Sequence, residues 1–199
     1  MTINIPGKAQ TAFQGNMQTS AAVELPFPAP AFYIVNGDAK LAALKNVQYF
    51  GGWACNVEKL REAADHYSNV PYPIPGFHEL NMVADDGKTY DVLTSRSLVV
   101  ATVGMRQFST IKDASGNKKR VAPFTKGARP GIQVLCILAY RNEQKQIVPW
   151  APVMLTANGY QVNHIQKAIQ TWRKTIKPYV GKLVPGADDS ILNLFYMHI

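Results

Sequence analysis

The residues most able to bind a ligand lie in one stretch of the chain, from Arg106 to Arg129, which we call the basic segment. It holds seven lysines and arginines and one acidic residue, Asp113, and Phe108 and Phe124 stand among the cations. Surface ion pairs contribute little to stability, so the fold itself rarely needs so many cations in one stretch. Positive charge interleaved with aromatic rings suits a polyanion with stackable faces, which describes single-stranded nucleic acid.

The charge distribution of the whole chain indicates the same kind of partner. Residues 1–105 carry seven basic and nine acidic side chains, a net charge of −2, whereas residues 106–199 carry fourteen and four, a net charge of +10. A basic half on a nearly neutral body indicates an electrostatic footprint for a polyanion. Nucleic acid is therefore the first candidate partner, and an anionic membrane or an acidic protein is the second.

Single-strand binding requires cations that follow the phosphates and aromatic faces on which the bases stack. We expect Arg96 and the basic segment to supply the cations, and the two phenylalanines to supply stacking faces. Trp53 follows a glycine pair and Trp150 lies between two prolines, so we expect both indoles to be accessible, whereas Trp172 lies on an apolar helix stripe and is assigned to the core. The predicted nucleic-acid-binding residues are Trp53, Arg96, Arg106, Phe108, Lys112, Lys118, Lys119, Arg120, Phe124, Lys126, Arg129 and Trp150.

Two features of this predicted site stay open at the level of the sequence. The basic segment can be the solvated end of a hairpin that binds nothing. Phe108 and Phe124 can face the core if the two ends of the segment form strands, since alternate residues of a strand point to opposite faces. In that case the segment supplies phosphate contacts only, and stacking comes from Trp53, Trp150 or the tyrosines.

Residues for other kinds of chemistry are not grouped in the sequence. The four histidines have no metal-ligand spacing, and Asp85-Asp86 precedes a glycine, which indicates a turn rather than a metal site. No glycine-rich nucleotide motif or nucleophile elbow occurs, and Cys55 with a distant histidine is a chance combination. We therefore expect no metal, no cofactor and no enzymatic activity.

The cysteines and the hydropathy bear on the compartment. Cys136 lies in the apolar run Ile132–Tyr140, which indicates a buried thiol, and two distant cysteines form no disulfide framework. A reducing cytoplasm fits such a chain, and it is the host cytoplasm if the protein is viral. No segment approaches the length of apolar sequence that spans a bilayer, so we expect no membrane-spanning segment. Because nucleic acid is the first candidate, we expect no membrane among the partners.

The order of the predicted elements indicates a mostly β fold with minor α and antiparallel connections. Residues 1–31 are predicted to form an extended arm and residues 32–199 a single domain. We expect a five-stranded antiparallel barrel of the oligonucleotide-binding (OB) type with extra strands, the basic segment as a long β-loop, and an amphipathic C-terminal helix. The predicted elements are strands at Phe32–Val35, Ser97–Val103, Ile132–Tyr140 and Ile147–Thr156, a hairpin around Asp86-Gly87, a helix at Val57–Tyr67 capped by Asn56, a helix from Gly159 to about Lys177 that ends at Pro178, and a last strand within Ser190–Ile199. Pro149 and Pro152 make the fourth of these strands an edge or a bulged strand.

Three segments carry a resemblance to a known family: Ser97–Met105 with Arg106, Ala128–Leu135, and Trp150–Thr156 before the amphipathic helix. In these the chain resembles the single-stranded DNA-binding proteins of bacteriophages and mobile elements that have the OB fold. The resemblance covers roughly residues 45–177 and implies sequence-independent binding of single strands during replication or recombination. Many such proteins end in an acidic tail that recruits partners, whereas this chain ends in Phe195-Tyr196-Met197-His198-Ile199.

We therefore expect a non-enzymatic protein that binds single-stranded DNA, with RNA as an alternative ligand. Two other classes stay open. One is a structural or assembly protein of a virus-like particle, because a proline-rich arm and a β-rich body suit subunit contacts. The other is a nucleic-acid enzyme such as a nuclease. The arm and the apolar C-terminal run can both mediate self-association, and replication or recombination proteins are candidate partners.

Overall fold

The computed structural model describes residues 29–35, 51–83, 89–116, 118–183, 185, 192 and 195–199. These form nine strands and two helices, so the prediction of a mostly β fold is confirmed. The predicted arm lies almost wholly outside the described residues. In chain order the elements are β1 (Ala31–Val35), β2 (Gly52–Asn56), α1 (Val57–His66), β3 (His78–Val83), β4 (Thr89–Ser95), β5 (Val99–Lys112), β6 (Lys118–Val121), β7 (Arg129–Arg141), β8 (Ile147–Asn158), α2 (Gln161–Leu183) and β9 (Met197–His198).

All nine strands belong to one sheet with the order β3-β4-β2-β1-β8-β7-β5-β6, and β9 pairs with β5. Every pair is antiparallel except β1 with β8, which are parallel. This pair corrects the prediction of antiparallel strands throughout. The two strands lie far apart in sequence, so no hairpin turn dictates their relative direction. Among the described residues the sheet is open, with β3 and β6 at its ends, and it has nine strands.

The sheet curls strongly. β4 and β5 are five strand spacings apart in the pairing order, about 24 Å in a flat sheet. The connection from Ser95 to Val99 spans at most about 14 Å, so the sheet must bend β4 towards the start of β5. Ile199 lies between these parts of the sheet: it exchanges backbone hydrogen bonds of 2.8 and 2.9 Å with Leu98, and its carbonyl accepts one of 3.1 Å from Trp53 Nε1.

The two faces of the sheet have different surroundings. The inner face carries the main core, which includes Phe32, Leu93, Val134 and Leu155 together with the apolar sides of both helices. The opposite face, which we call the outer face, holds a smaller apolar cluster around Leu135, Ile137 and Met154 that packs against Tyr196. Cys136 is buried in the main core, as predicted, and Cys55 is buried there as well.

A β-bulge in β5 decides which residues of the basic segment reach the outer face. The register of β5 on β7 shifts between Thr102 and Gly104. Before the bulge, Val100 faces the core, and without the bulge the even-numbered residues Arg106 and Phe108 would face it as well. After the shift Met105 packs against the core instead, so Arg106 and Phe108 lie on the outer face.

The prediction for α1 is confirmed, and that for α2 needs one correction. Asn56 caps α1 by accepting a hydrogen bond of 3.2 Å from the Lys59 amide. The stripe of α2 packs on the core as predicted, but Pro178 lies inside the helix rather than ending it. Pro178 is exposed, so water can satisfy the carbonyl that loses its donor, and Val180 is buried two residues further on. Neither helix of the described residues has the length and apolar character needed to cross a bilayer.

β8 lies inside the sheet, between β1 and β7, although its prolines indicated an edge or a bulged strand. β1 pairs with β8 only at residues 154–156, so among the described residues Pro149 and Pro152 lie where β8 pairs with β7 alone. The register of β7 on β8 also shifts between Ile137 and Ala139, beside these prolines. The local environment of the prolines is therefore that of an edge with an irregular register, as proline's missing N–H requires.

Candidate nucleic-acid interface

A continuous row of paired residues crosses the outer face of the sheet. Each member pairs directly with the next on the neighbouring strand, so all their side chains lie on one face. From β5 to β3 the row is Arg106, Gln133, Thr156, Tyr33, Ala54, Thr94 and His78. The row begins in the basic segment and ends at the opposite edge of the described sheet.

The basic end of this row is held in place by hydrogen bonds. Arg106 Nε donates to Gln133 Oε1 at 2.8 Å, and Gln133 Nε2 donates to Thr156 Oγ1 at 3.4 Å. Gln133 and Thr156 are buried, so these two hydrogen bonds fix the direction of the Arg106 side chain. Burial, and secondarily the charge of Arg120, lowers the pKa of Arg106. A guanidinium that is partly desolvated and lies near another cation is a site where an anion gains binding energy.

Phe108 and Arg120 form a stacked pair beside these hydrogen-bonded residues. The Arg120 guanidinium carbon lies 4.8 Å from the centroid of the Phe108 ring, a cation–π contact. The ring also covers Gly131 on β7, and it is buried. Phe108 therefore supports Arg120 rather than offering a free face to a base. The burial of Phe108 does not support the expectation that its ring stacks on a base.

The remaining predicted cations divide by the face of the strand on which they lie. Lys112 follows Arg106, Phe108 and Thr110 in alternation on β5, and Arg129 pairs with Thr110 from β7, so both are on the outer face. Arg120 pairs with Thr110 from β6, whereas Lys119 pairs with Ile111 and points to the opposite face. The outer face thus carries four described cations from the basic segment: Arg106, Lys112, Arg120 and Arg129.

Three predicted cations are not assigned to this group. Lys126 is exposed in the connection between β6 and β7, and Arg96 is exposed before β5, at the other end of that strand from Lys112. The backbone of Lys118 pairs with Lys112, but its side chain lies outside the described residues. Within the described part of the chain, no carboxylate lies within salt-bridge distance of Lys112, Arg120 or Arg129.

The aromatic predictions have mixed outcomes. Trp53 and Trp150 are buried, so the prediction that they are accessible is wrong; their indole N–H groups donate to the carbonyls of Ile199 (3.1 Å) and Pro71 (2.9 Å). Trp172 packs against the core as predicted. Phe124 is 89% exposed and has a φ of 64°, a conformation that few non-glycine residues adopt. It projects from the loop between β6 and β7, and it is the accessible aromatic residue of the basic segment.

Sequence reasoning missed several residues of this face. Gln133 and Thr156 are polar residues within apolar strands, which is a readable signal for a functional or hydrogen-bonded row. Tyr33 is 49% exposed and Tyr90 is 40% exposed. Tyr33 belongs to a predicted strand, and the burial of Phe32 beside it implies an outward Tyr33. Tyr90 follows the Asp86-Gly87 turn of the predicted hairpin.

Together these residues form a surface on which arginines are fixed by hydrogen bonds and stacking, and the loop between β6 and β7 adds one exposed ring. Such a surface can bind phosphate groups through charge-assisted hydrogen bonds and can stack a planar group on Phe124. No protein family, curated protein or solved structure matches this chain.

Proposed function

We propose that the protein binds single-stranded DNA without sequence preference on the outer face of β5, β6 and β7. The observation that carries this proposal is the group of four outer-face cations, which have been brought together by the bulge in β5 and by the register of β6. Grouping like charges costs free energy in the absence of a counterion, and a phosphate backbone offsets that cost. An extended single strand also exposes the bases that Phe124 can stack.

The strand connections support an OB-type barrel as the finer description of the fold. We propose that β5, β7 and β8 correspond to the first three strands of such a barrel and that α2 corresponds to the helix that follows them. In OB folds the face of the second and third strands and the loop between the first and second bind oligonucleotides. In this chain that face carries Gln133 and Thr156, and that connection carries β6 and Phe124. The parallel pair of β1 with β8 adds further strands to the proposed barrel.

The proposed mechanism divides affinity between charge and stacking. The four outer-face cations contact phosphates, and release of counterions makes the affinity depend on salt. Phe124 stacks one base, a contact worth about 1–3 kcal/mol. We propose a role in the replication or recombination of a phage or mobile element, in the cytoplasm of its host, as the resemblance implies.

The proposal is tested by the fluorescence anisotropy of a labelled oligo-dT titrated with the protein at several salt concentrations. If each outer-face cation neutralises one phosphate, log K falls against log salt with a slope of about −2.8, since each phosphate of a single strand contributes about −0.7. Duplex DNA and RNA of equal length are titrated in parallel, and duplex DNA should bind more weakly than oligo-dT. Absence of binding, or an affinity that ignores salt, contradicts the proposal. Cleavage of the oligonucleotide in the presence of a divalent metal would favour a nuclease instead.

A further inference from the structure

We propose that a groove between Tyr33 and Tyr90 on the outer face is a second binding site for a nucleobase. The groove has a volume of about 380 Å³ and its lining includes Tyr33, Tyr90, Ala54, Met82, Val92 and Lys59. It lies on β1, β2, β3 and β4, away from the basic segment. This inference rests on the proposed function, because it assigns to that single strand a contact beyond the basic surface.

The position of the groove indicates which ligand it takes. Tyr33 belongs to the same cross-strand row as Arg106 and stands three strand spacings from it, about 14 Å. Gln133 and Thr156 occupy the two positions between them, and both are buried. A single strand that contacts both Arg106 and Tyr33 would pass over the buried side chains of Gln133 and Thr156, so its contacts lie at Arg106 and at the groove beside Tyr33.

The lining has the character that a base requires. Two tyrosine rings remain partly exposed although they lie among apolar side chains, and Met82 pairs directly with Tyr90 across β3 and β4. Aromatic rings can stack on any base, whatever its identity. The apolar lining of the groove favours a flat ring over a hydrated phosphate. Lys59 at the groove carries the one charged group of the lining, and its ammonium pairs with Glu62 at 2.8 Å. The site is thus suited to a base and poorly suited to a phosphate.

The test compares oligo-dT with an abasic deoxyribose-phosphate strand of the same length. Stacking on the tyrosines makes the wild type prefer oligo-dT, and Tyr33→Ala and Tyr90→Ala should each weaken oligo-dT binding about five-fold or more. Binding of the abasic strand should not change. Tyr179→Ala is the matched control, because Tyr179 is 61% exposed on α2 and lies outside the row. Tyr33→Phe and Tyr90→Phe should retain the wild-type affinity, which separates stacking from loss of the fold.

The outcomes separate this inference from the function on which it rests. If the wild type binds oligo-dT in a salt-dependent manner but Tyr33→Ala and Tyr90→Ala bind as tightly as Tyr179→Ala does, the groove is not a base site and the proposed function stands. If the wild type binds neither strand, both proposals fail. As an independent readout, an oligonucleotide that carries 5-iodouracil should photocrosslink to the peptides that contain Tyr33 or Tyr90. Crosslinks confined to the basic segment would overturn the inference.

Discussion

The substitution Gly131→Ala tests the packing that holds Arg120 on the outer face. A Cβ at position 131 would lie 2.3 Å from Cζ and 2.4 Å from Cε2 of the Phe108 ring, whereas carbon atoms in contact are about 3.5–4.0 Å apart. The ring must therefore retreat from Gly131 by about 1 Å or more, which disturbs its contact with the Arg120 guanidinium. Overpacking of this kind costs about 1–3 kcal/mol.

The measurement is a double-mutant cycle with Phe108→Ala, in which urea unfolding gives the free energy of unfolding of each variant. Without the ring, the new methyl group meets no clash, and alanine is a better strand residue than glycine, so Gly131→Ala should be neutral or slightly stabilising in that background. The expected coupling free energy is thus at least about 1 kcal/mol. Equal effects of Gly131→Ala in both backgrounds would refute the contact between this ring and Gly131, and with it the support of Arg120 by Phe108.

Two further predictions concern the exposed loop between β6 and β7 and the buried thiol of Cys55. Phe124→Gly should leave the stability unchanged or raise it, because the φ of 64° favours glycine, while it weakens binding to oligo-dT about five-fold or more; an unchanged affinity would remove Phe124 from the interface. Burial raises the pKa of Cys55 from 9.0 to about 12, so its share of the stability is present below pH 9 and is lost as the pH rises towards 12, by up to about 1.4 kcal/mol per pH unit. Urea unfolding at pH 8 and pH 10.5 should show a smaller loss in Cys55→Ala than in the wild type, and equal losses would contradict the buried thiol.

The local sequence pattern was enough to predict elements that are stabilised by contacts between nearby residues or that have a strong apolar pattern. The helix after Asn56 begins at its predicted cap because the capping hydrogen bond is made within three residues. The apolar run that contains Cys136 became the centre of β7. The stripe on α2 also packs as predicted, since a three- and four-residue spacing leaves one face to bury.

The errors come from contacts that the local sequence does not contain. Trp53 and Trp150 are buried because their N–H groups reach the carbonyls of residues 146 and 79 positions away. Without those partners, the flanking glycines and prolines wrongly indicated exposure. The parallel direction of β1 on β8 likewise depends on a pairing between distant parts of the chain.

The division between Phe108 and Phe124 shows why the site itself was only partly predictable. Both rings stand in the basic segment, and alternation alone left open whether either ring faces inward. The bulge at Thr102 and Gly104 reverses the alternation of β5, and the loop after β6 places Phe124 at a positive φ. The composition of the sequence predicts neither the bulge nor the positive φ, although Gly104 is the kind of residue that accompanies a bulge.

The central claim, that the outer-face cations hold a single strand, is tested most directly by comparing two neighbouring residues of β6. Arg120 faces the outer face and Lys119 the opposite one, and both are exposed. Oligo-dT binding is measured between 50 and 200 mM salt, where four phosphate contacts reduce the wild-type affinity about 50-fold and three reduce it about 20-fold. We predict that Arg120→Ala falls to the smaller salt dependence and that Lys119→Ala keeps that of the wild type. Equal salt dependences in the two variants would contradict the claim.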